Sequence, residues 1–253
     1  MKFKKNINYN TRKIHRYLGL FIGIQFFFWT LSGLYFSWNN MDDVHGETLL
    51  KQEKHYVSDV NFSNIQKAVD SLKTISKVDS VHSIKIIETL GKPIAQFHYF
   101  NEGKFNTQLI NVKTGTLRNP FSEEESLKMV KERLKTPIAI EKTMLVDENS
   151  VTANHEYRGK PLPAYAFVLD HSTKTTVYVA KNLGQITSVR NNNWRRFDFL
   201  WMLHVMDYDT RDHITNWVLR IFSAFGMLTI LSGFYLFYLS SPTIKKMKKK
   251  AKK

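Results

Sequence analysis

Two long runs without a charged side chain interrupt an otherwise polar chain. The first extends from Tyr17 to Met41, with a core reading YLGLFIGIQFFFWTLSGLYFSW, and the second from Ile221 to Ile244, reading IFSAFGMLTILSGFYLFYLSSPTI. A helix of about 20 residues, rising 1.5 Å at each, crosses a bilayer's hydrocarbon core of about 30 Å. Both runs are long enough. Trp29, Tyr35 and Trp38 in one, and Trp217, Tyr235 and Tyr238 around the other, suit the aromatic belts of membrane–water interfaces. We expect spanning helices over residues 17–41 and 213–241. The first reads as an anchor rather than a cleaved signal peptide. Its apolar stretch exceeds the usual 7–15 residues or so, and bulky side chains stand where a small-residue cleavage motif belongs.

Between the runs the period changes. Alternating apolar and polar positions rich in β-branched and aromatic residues predict strands, and they recur. Gly91-Lys92-Pro93-Ile94 returns as Gly159-Lys160-Pro161-Leu162, each copy ahead of an aromatic-rich strand, residues 96–100 and 164–170. A second strand follows each, 105–112 into Thr114-Gly115 and 175–180 into Leu183-Gly184. Upstream of each copy lies an amphipathic helix. One spans roughly Asn61 to Leu72 with Ile65, Val69 and Leu72 on one face; the other opens on a Ser122/Glu125 capping box, with Leu127, Val130 and Leu134 inward. The unit is helix, strand, strand, strand, occurring twice over residues 45–120 and 121–191. One such unit buries little apolar area, so the two are expected to share a core.

Charge sets the orientation. The net charge is +15, and thirteen basic residues lie in the tails, six within 1–16 and seven within 242–253, with no acid in either. That is the positive-inside signature with both termini cytoplasmic, and such tails lie against anionic lipid rather than nucleic acid. The mean hydropathy of −0.33 hides this segregation. With no cysteine, disulfides, thiol redox chemistry, iron–sulfur clusters and Cys-rich zinc sites are excluded. There is no nucleophile elbow, Walker loop, dinucleotide fingerprint or HExxH.

Residues 192–212 read as an interfacial helix and turn. Trp194, Phe197, Leu200, Trp201 and Met206 are its apolar face, with Thr210 expected to cap the second span and Asp212 to favour its N-terminal dipole. Three of nine histidines hold suggestive positions. His15 lies at the cytoplasmic mouth of the first span, on a stripe with Gly19, Gly23, Phe26, Thr30 and Gly33. Such a stripe admits a flat macrocycle or a second helix, and Gly19-x-x-x-Gly23 is also a dimerisation pattern. His204 and His213 fall on the other side, His213 on a stripe with Asn216, Arg220 and Ser223. Arg220 needs a partner at the boundary (an Asp, a lipid phosphate or a haem propionate) unless it snorkels to headgroups. The alternation of His and Asp from His204 to His213 is a weaker metal pattern, because it crosses a helix break. His45, His55, His82, His98, His155 and His171 share no spacing.

The repeat resembles the PepSY domain, and the flanks resemble PepSY-associated transmembrane proteins of bacterial inner membranes. The carriers are Arg12-Lys13-Ile14-His15-Arg16-Tyr17-Leu18-Gly19, the Gly-Lys-Pro turns, and Phe197-Asp198-Phe199-Leu200-Trp201-Met202-Leu203-His204. The resemblance implies a membrane α plus extracytoplasmic α+β architecture, two transmembrane helices flanking two PepSY-like helix-plus-antiparallel-sheet units. Four-span relatives include ferrisiderophore reductases carrying haem b on membrane histidines, which implies His15, His204 and His213 as haem-iron ligands and Arg220 at a propionate. With two spans only, a homodimer or a partner membrane protein would complete the bundle. PepSY units in protease propeptides imply the alternative, a non-enzymatic module that binds an extracytoplasmic partner.

Overall fold

The computed structural model describes residues 2–52, 57, 58 and 60–250; His55 and the tail lysines Lys252 and Lys253 lie outside them. The chain divides into two compact units, one of residues 40–195 and one of the remainder.

The first element is a single helix, α1 (Lys2–Trp38). It begins well before the expected boundary at residue 17, so the basic N-terminal segment continues the span as helix instead of leaving it as a tail.

The 40–195 unit opens with α2 (Met41–His45), capped by the Asn40 side chain and ended by Gly46 at φ +75°. A Cβ on Gly46 would come within 2.6 Å of Val189. After a 3-10 turn (Glu47–Leu49) come α3 (Phe62–Ile75), β1 (Ser80–Thr89), β2 (Lys92–Asn101), β3 (Lys104–Asn111) and β4 (Thr116–Arg118). The strands form an antiparallel meander in that order. Asn61 caps α3, which buries Ile65, Ala68, Val69 and Leu72, the expected stripe extended by one alanine. These pack on Ala95, Phe97, Tyr99, Ile110 and Val112.

The pattern then repeats with α4 (Glu123–Arg133), β5 (Ile140–Val146), β6 (Ala164–Leu169), β7 (Thr176–Ala180) and β8 (Gln185–Arg190), again an antiparallel meander. The Ser122/Glu125 capping box is present in full. Leu127 packs only partly buried, while Met129 and Val130 are buried. Each sheet has four strands rather than three, because a short return strand follows Gly115 and Gly184. The larger core joins the repeats: Ile94 and Leu109 of the first sheet meet Phe121, Met129, Val130, Phe167, Leu169, Val177, Val179 and Val189. The shared core expected from the repeat is therefore present.

The two Gly-Lys-Pro turns occupy the same connection but not the same geometry. Leu90 and Gly91 both have positive φ in a two-residue hairpin, the backbone that matches strand twist. Gly159 lies inside the long connection of residues 147–163. That segment folds over the second sheet because it delivers Tyr157, fully buried and stacked on Tyr178 with ring centroids 4.5 Å apart. The Tyr157 hydroxyl donates to Pro161 O at 2.9 Å and meets Thr187 Oγ1 at 2.7 Å. Burying a phenol with its polar end satisfied holds a loop that could not otherwise cover a sheet.

The remaining elements are α5 (Asn192–Val205), α6 (Trp217–Ser240) and α7 (Pro242–Lys250). α1 and α6 are both long and apolar enough to cross a membrane. Their large side chains face outward, Leu20 72 % and Phe234 68 % exposed, as a lipid-facing helix requires and a soluble core helix does not. Thr210 does not cap α6. Asn216 does, accepting from Leu219 N at 2.8 Å, so the span starts at 217 and His213 lies outside the helix rather than on its stripe.

Candidate functional site

In the helical unit, α1 presents a heptad-like face: His15, Leu18, Ile22, Gln25, Trp29, Ser32 and Phe36. Ile22, Gln25 and Ser32 are its buried positions. The glycines of the neighbouring stripe take no part in the seam. A Cβ on Gly19, Gly23 or Gly33 would meet nothing within 4 Å. On the α6 side the small residues are used: Gly226 lies against Phe26, Gly233 lies against His15, and Phe21 stacks on Phe222 at 5.1 Å.

α5 ends on α1. Its last-turn carbonyls have no partner within the helix, and α1 supplies them. Gln25 Nε2 donates to Leu203 O at 2.9 Å and Trp29 Nε1 to His204 O at 2.7 Å. Phe36 packs on Phe197 at 4.6 Å. The His204 ring is held among Trp29, Phe36 and Trp201.

All three candidate histidines meet a hydroxyl through Nδ1. His204 Nδ1 is 2.7 Å from Ser32 Oγ, His15 Nδ1 is 2.7 Å from Ser232 Oγ, and His213 Nδ1 is 2.7 Å from Thr210 Oγ1. Each hydroxyl also has a second acceptor in reach: Trp29 O for Ser32, Thr229 O for Ser232 and the Asp207 carboxylate for Thr210. Where the hydroxyl proton goes to that acceptor, the imidazole donates through Nδ1 and its lone pair is on Nε2. Hydrogen-bonded partners orient metal-ligating histidines in this way. His171 is a contrast. Its Nδ1 accepts the Thr173 amide at 3.3 Å, so the lone pair there is on the engaged nitrogen.

The histidines do not converge. His15 and Ser32 are 17 residues apart on α1, about 25 Å at the helical rise, so His15 and His204 serve opposite ends of the unit. His204 and His213 belong to the same end, but their side chains are directed to separate partners. His204 is wedged into α1, whereas His213 is 72 % exposed and turned to its own loop.

That loop is built on Asp207, which accepts from Thr210 Oγ1 and from the amides of Asp209, Thr210, Asp212 and His213. Burial raises its carboxyl pKa, but these hydrogen bonds outweigh burial and bring it down to about 2. A carboxylate so occupied ties up the Thr210 that was expected as a cap. Arg211, at φ +64°, donates to buried Asp198 at 2.6 Å and secures the loop to α5. Arg220 lies in the first turn of α6 with its guanidinium 5.0 Å from the Trp217 ring centre. Among the described residues no group of three or more His, Asp or Glu gathers as a metal site, and the His/Asp alternation after His204 is absorbed by the Asp207 turn.

The hydroxyl partners were missed in the sequence, yet a signal exists. Leu31-Ser32-Gly33-Leu34-Tyr35 and Leu231-Ser232-Gly233-Phe234-Tyr235 are the same pattern in the two apolar runs, and its serine holds a histidine both times. His15, His204 and His213 are the residues that would hold haem iron, each through Nε2 when Nδ1 donates to its hydroxyl.

No curated protein and no solved structure matches the chain significantly. The family model for the PepSY-associated TM region matches residues 12–253. This membrane protein therefore belongs to the PepSY-associated TM family.

Proposed function

We propose that the protein is a two-pass protein of a bacterial inner membrane that passes electrons through haem b, in support of iron-siderophore reduction. Both termini are cytoplasmic and residues 45–200 extracytoplasmic. The observation that carries this reading is the hydroxyl contact shared by Nδ1 of His15, His204 and His213, which leaves Nε2 for iron when the imidazole donates through Nδ1. Bound haem would supply one-electron chemistry. The chain's own part is to fix the imidazole tautomers, to shield His204 from water with Trp29, Phe36 and Trp201, and to place Arg220 near an acidic edge at the outer end. His204 and His213 are candidate ligands at that end, each on its own, since their side chains are directed to separate partners. His15 serves the other end, with a further ligand supplied by a homodimer mate or a partner membrane protein, Gly19 and Gly23 of α1 having room beside them.

The test is a visible spectrum of protein expressed with ample haem. A Soret band is expected, reduced by His204→Ala or His213→Ala through the outer site and by His15→Ala through the inner site only. A colourless protein under those conditions removes the redox reading. The second reading, a non-enzymatic module that binds an extracytoplasmic partner, is favoured by the large 40–195 unit with its shared core. It predicts that the three substitutions change only stability.

A further inference from the structure

We infer that the helical unit carries a site for one anionic phospholipid, at the end of α1 and α6 where His15 lies. The inference needs neither the haem reading nor an assignment of membrane sides. A groove of about 470 Å³ runs between the two helices there, lined by Lys13, Ile14, Tyr17, Leu18 and Phe21 of α1 and by Phe225 of α6. Lys13 stands at one end of it. Phe21 lies eight residues further along the helix, about 12 Å at the helical rise, so the groove has a cationic mouth and an apolar length.

The two spans are staggered, and the stagger leaves cations at a depth where they need a counter-charge. His15 Nδ1 meets Ser232 Oγ at 2.7 Å, and the His15 ring lies against Gly233. Arg12, Lys13 and Arg16 are exposed and within one turn of His15, so they stand beside α6 rather than beyond its end. α6 continues for eight residues after Ser232, about 12 Å, through a charge-free stretch in which Phe234 and Phe237 are exposed. A cation at such a depth is costly unless an anion accompanies it. Neither helix supplies one: residues 1–41 and 213–253 contain no Asp or Glu, and Asp198 and Asp207 of the same unit serve the His204 end.

Charge and shape together select the occupant. Lys13, with Arg12 and Arg16 beside it, offers charge-assisted donors to phosphate oxygens, and Tyr17 is the other lining residue with a side-chain donor. Beyond them Ile14, Leu18, Phe21 and Phe225 present hydrocarbon, which suits an acyl chain and gives a free phosphate ion nothing to bind. A bilayer delivers both halves of that ligand in one molecule. A zwitterionic lipid has the same chains but carries its own ammonium, so three cations with no acid in their helices favour the anionic headgroup.

The experiment is native mass spectrometry of the full-length protein in detergent, titrated with phosphatidylglycerol or with phosphatidylethanolamine of identical chains. One phosphatidylglycerol per protein chain is expected to persist at a collision energy that strips phosphatidylethanolamine. Lys13→Gln should weaken that binding about fivefold, and neutralising Arg12, Lys13 and Arg16 together about a hundredfold. Lys246→Gln with Lys250→Gln, on α7, should leave it unchanged. Ile14→Trp narrows the groove without touching a charge and should weaken binding about fivefold at unchanged helicity by circular dichroism. Glycerol phosphate, a headgroup without chains, should not compete. The inference is overturned if the two lipids are retained equally, if the triple substitution leaves affinity unchanged, if the α7 substitutions weaken binding as much as those of α1, or if glycerol phosphate displaces the lipid.

Discussion

Single residues with nearly the same backbone can differ widely in consequence, and Gly91 and Gly184 are a pair in point. Their φ values are +66° and +63°, but a Cβ on Gly91 meets nothing while one on Gly184 falls 1.9 Å from the Phe121 ring. Gly91→Ala should cost about 1–2 kcal/mol, the left-handed backbone penalty alone. Gly184→Ala adds overpacking of a fully buried ring and should cost about 1–3 kcal/mol more, measured by chemical denaturation of the two variants in parallel. Asp207 is the residue with a pH signature. Its pKa is depressed from 3.8 to about 2, so its contribution to stability is fully present above pH 4 and lost as pH falls from about 4 towards 2. Asp207→Asn should abolish that acid sensitivity and loosen the turn at every pH, read as protease susceptibility between residues 206 and 216. A wild-type turn equally resistant at pH 2 and pH 5 would contradict the assignment.

Helix ends carry the argument at the scale of elements. α4 starts where its capping box says it should, because Ser122 and Glu125 satisfy two backbone donors from within four residues of sequence. Ser122→Ala is expected to cost about 1 kcal/mol, detectable as a lowered denaturation midpoint at unchanged cooperativity. α6 follows the same rule with a less legible cap. Thr210 and Asn216 are both capping residues by type. The choice falls to Asn216 because Thr210 is bound to Asp207, while Asn216 also donates to Val205 O and His213 O. α5 is ended differently, by Gln25 and Trp29 of α1, a cap from a distant element that no local pattern announces. Gln25→Leu should leave α1 apolar and helical yet weaken the seat of α5 by about 1 kcal/mol or more, seen as loss of the near-ultraviolet signal of Trp201 before loss of helicity.

At the scale of the molecule, the prediction is topology. Thirteen basic residues in two acid-free tails are the ground for expecting both ends on one side. Reporter fusions after Ser58 and after Lys253 are expected to report opposite compartments, and agreement between them would defeat the two-span arrangement. The two units divide the work in this reading. The helical unit holds His15 and His204 against serine hydroxyls, and the 40–195 unit holds the two sheets and their shared core.

The sequence by itself determined the features that depend on neighbours along the chain. Charge-free runs mark α1 and α6 because bilayer thickness converts directly into residue count. The Ser122 box and the α3 stripe are local hydrogen bonding and 3.6-residue periodicity, and the doubled Gly-Lys-Pro motif marks the repeat whose halves share a core. Other features depend on which distant groups meet. That Ser32 and Ser232 hold His204 and His15, that the 147–163 connection folds back on Tyr157, and that Gly19 and Gly23 stand beside the helix seam and not in it depend on tertiary contacts. The reason is physical. A side chain's tautomer, its burial and its unmet hydrogen bonds are fixed by partners brought from far along the chain, and composition or period at the residue itself carries no record of them.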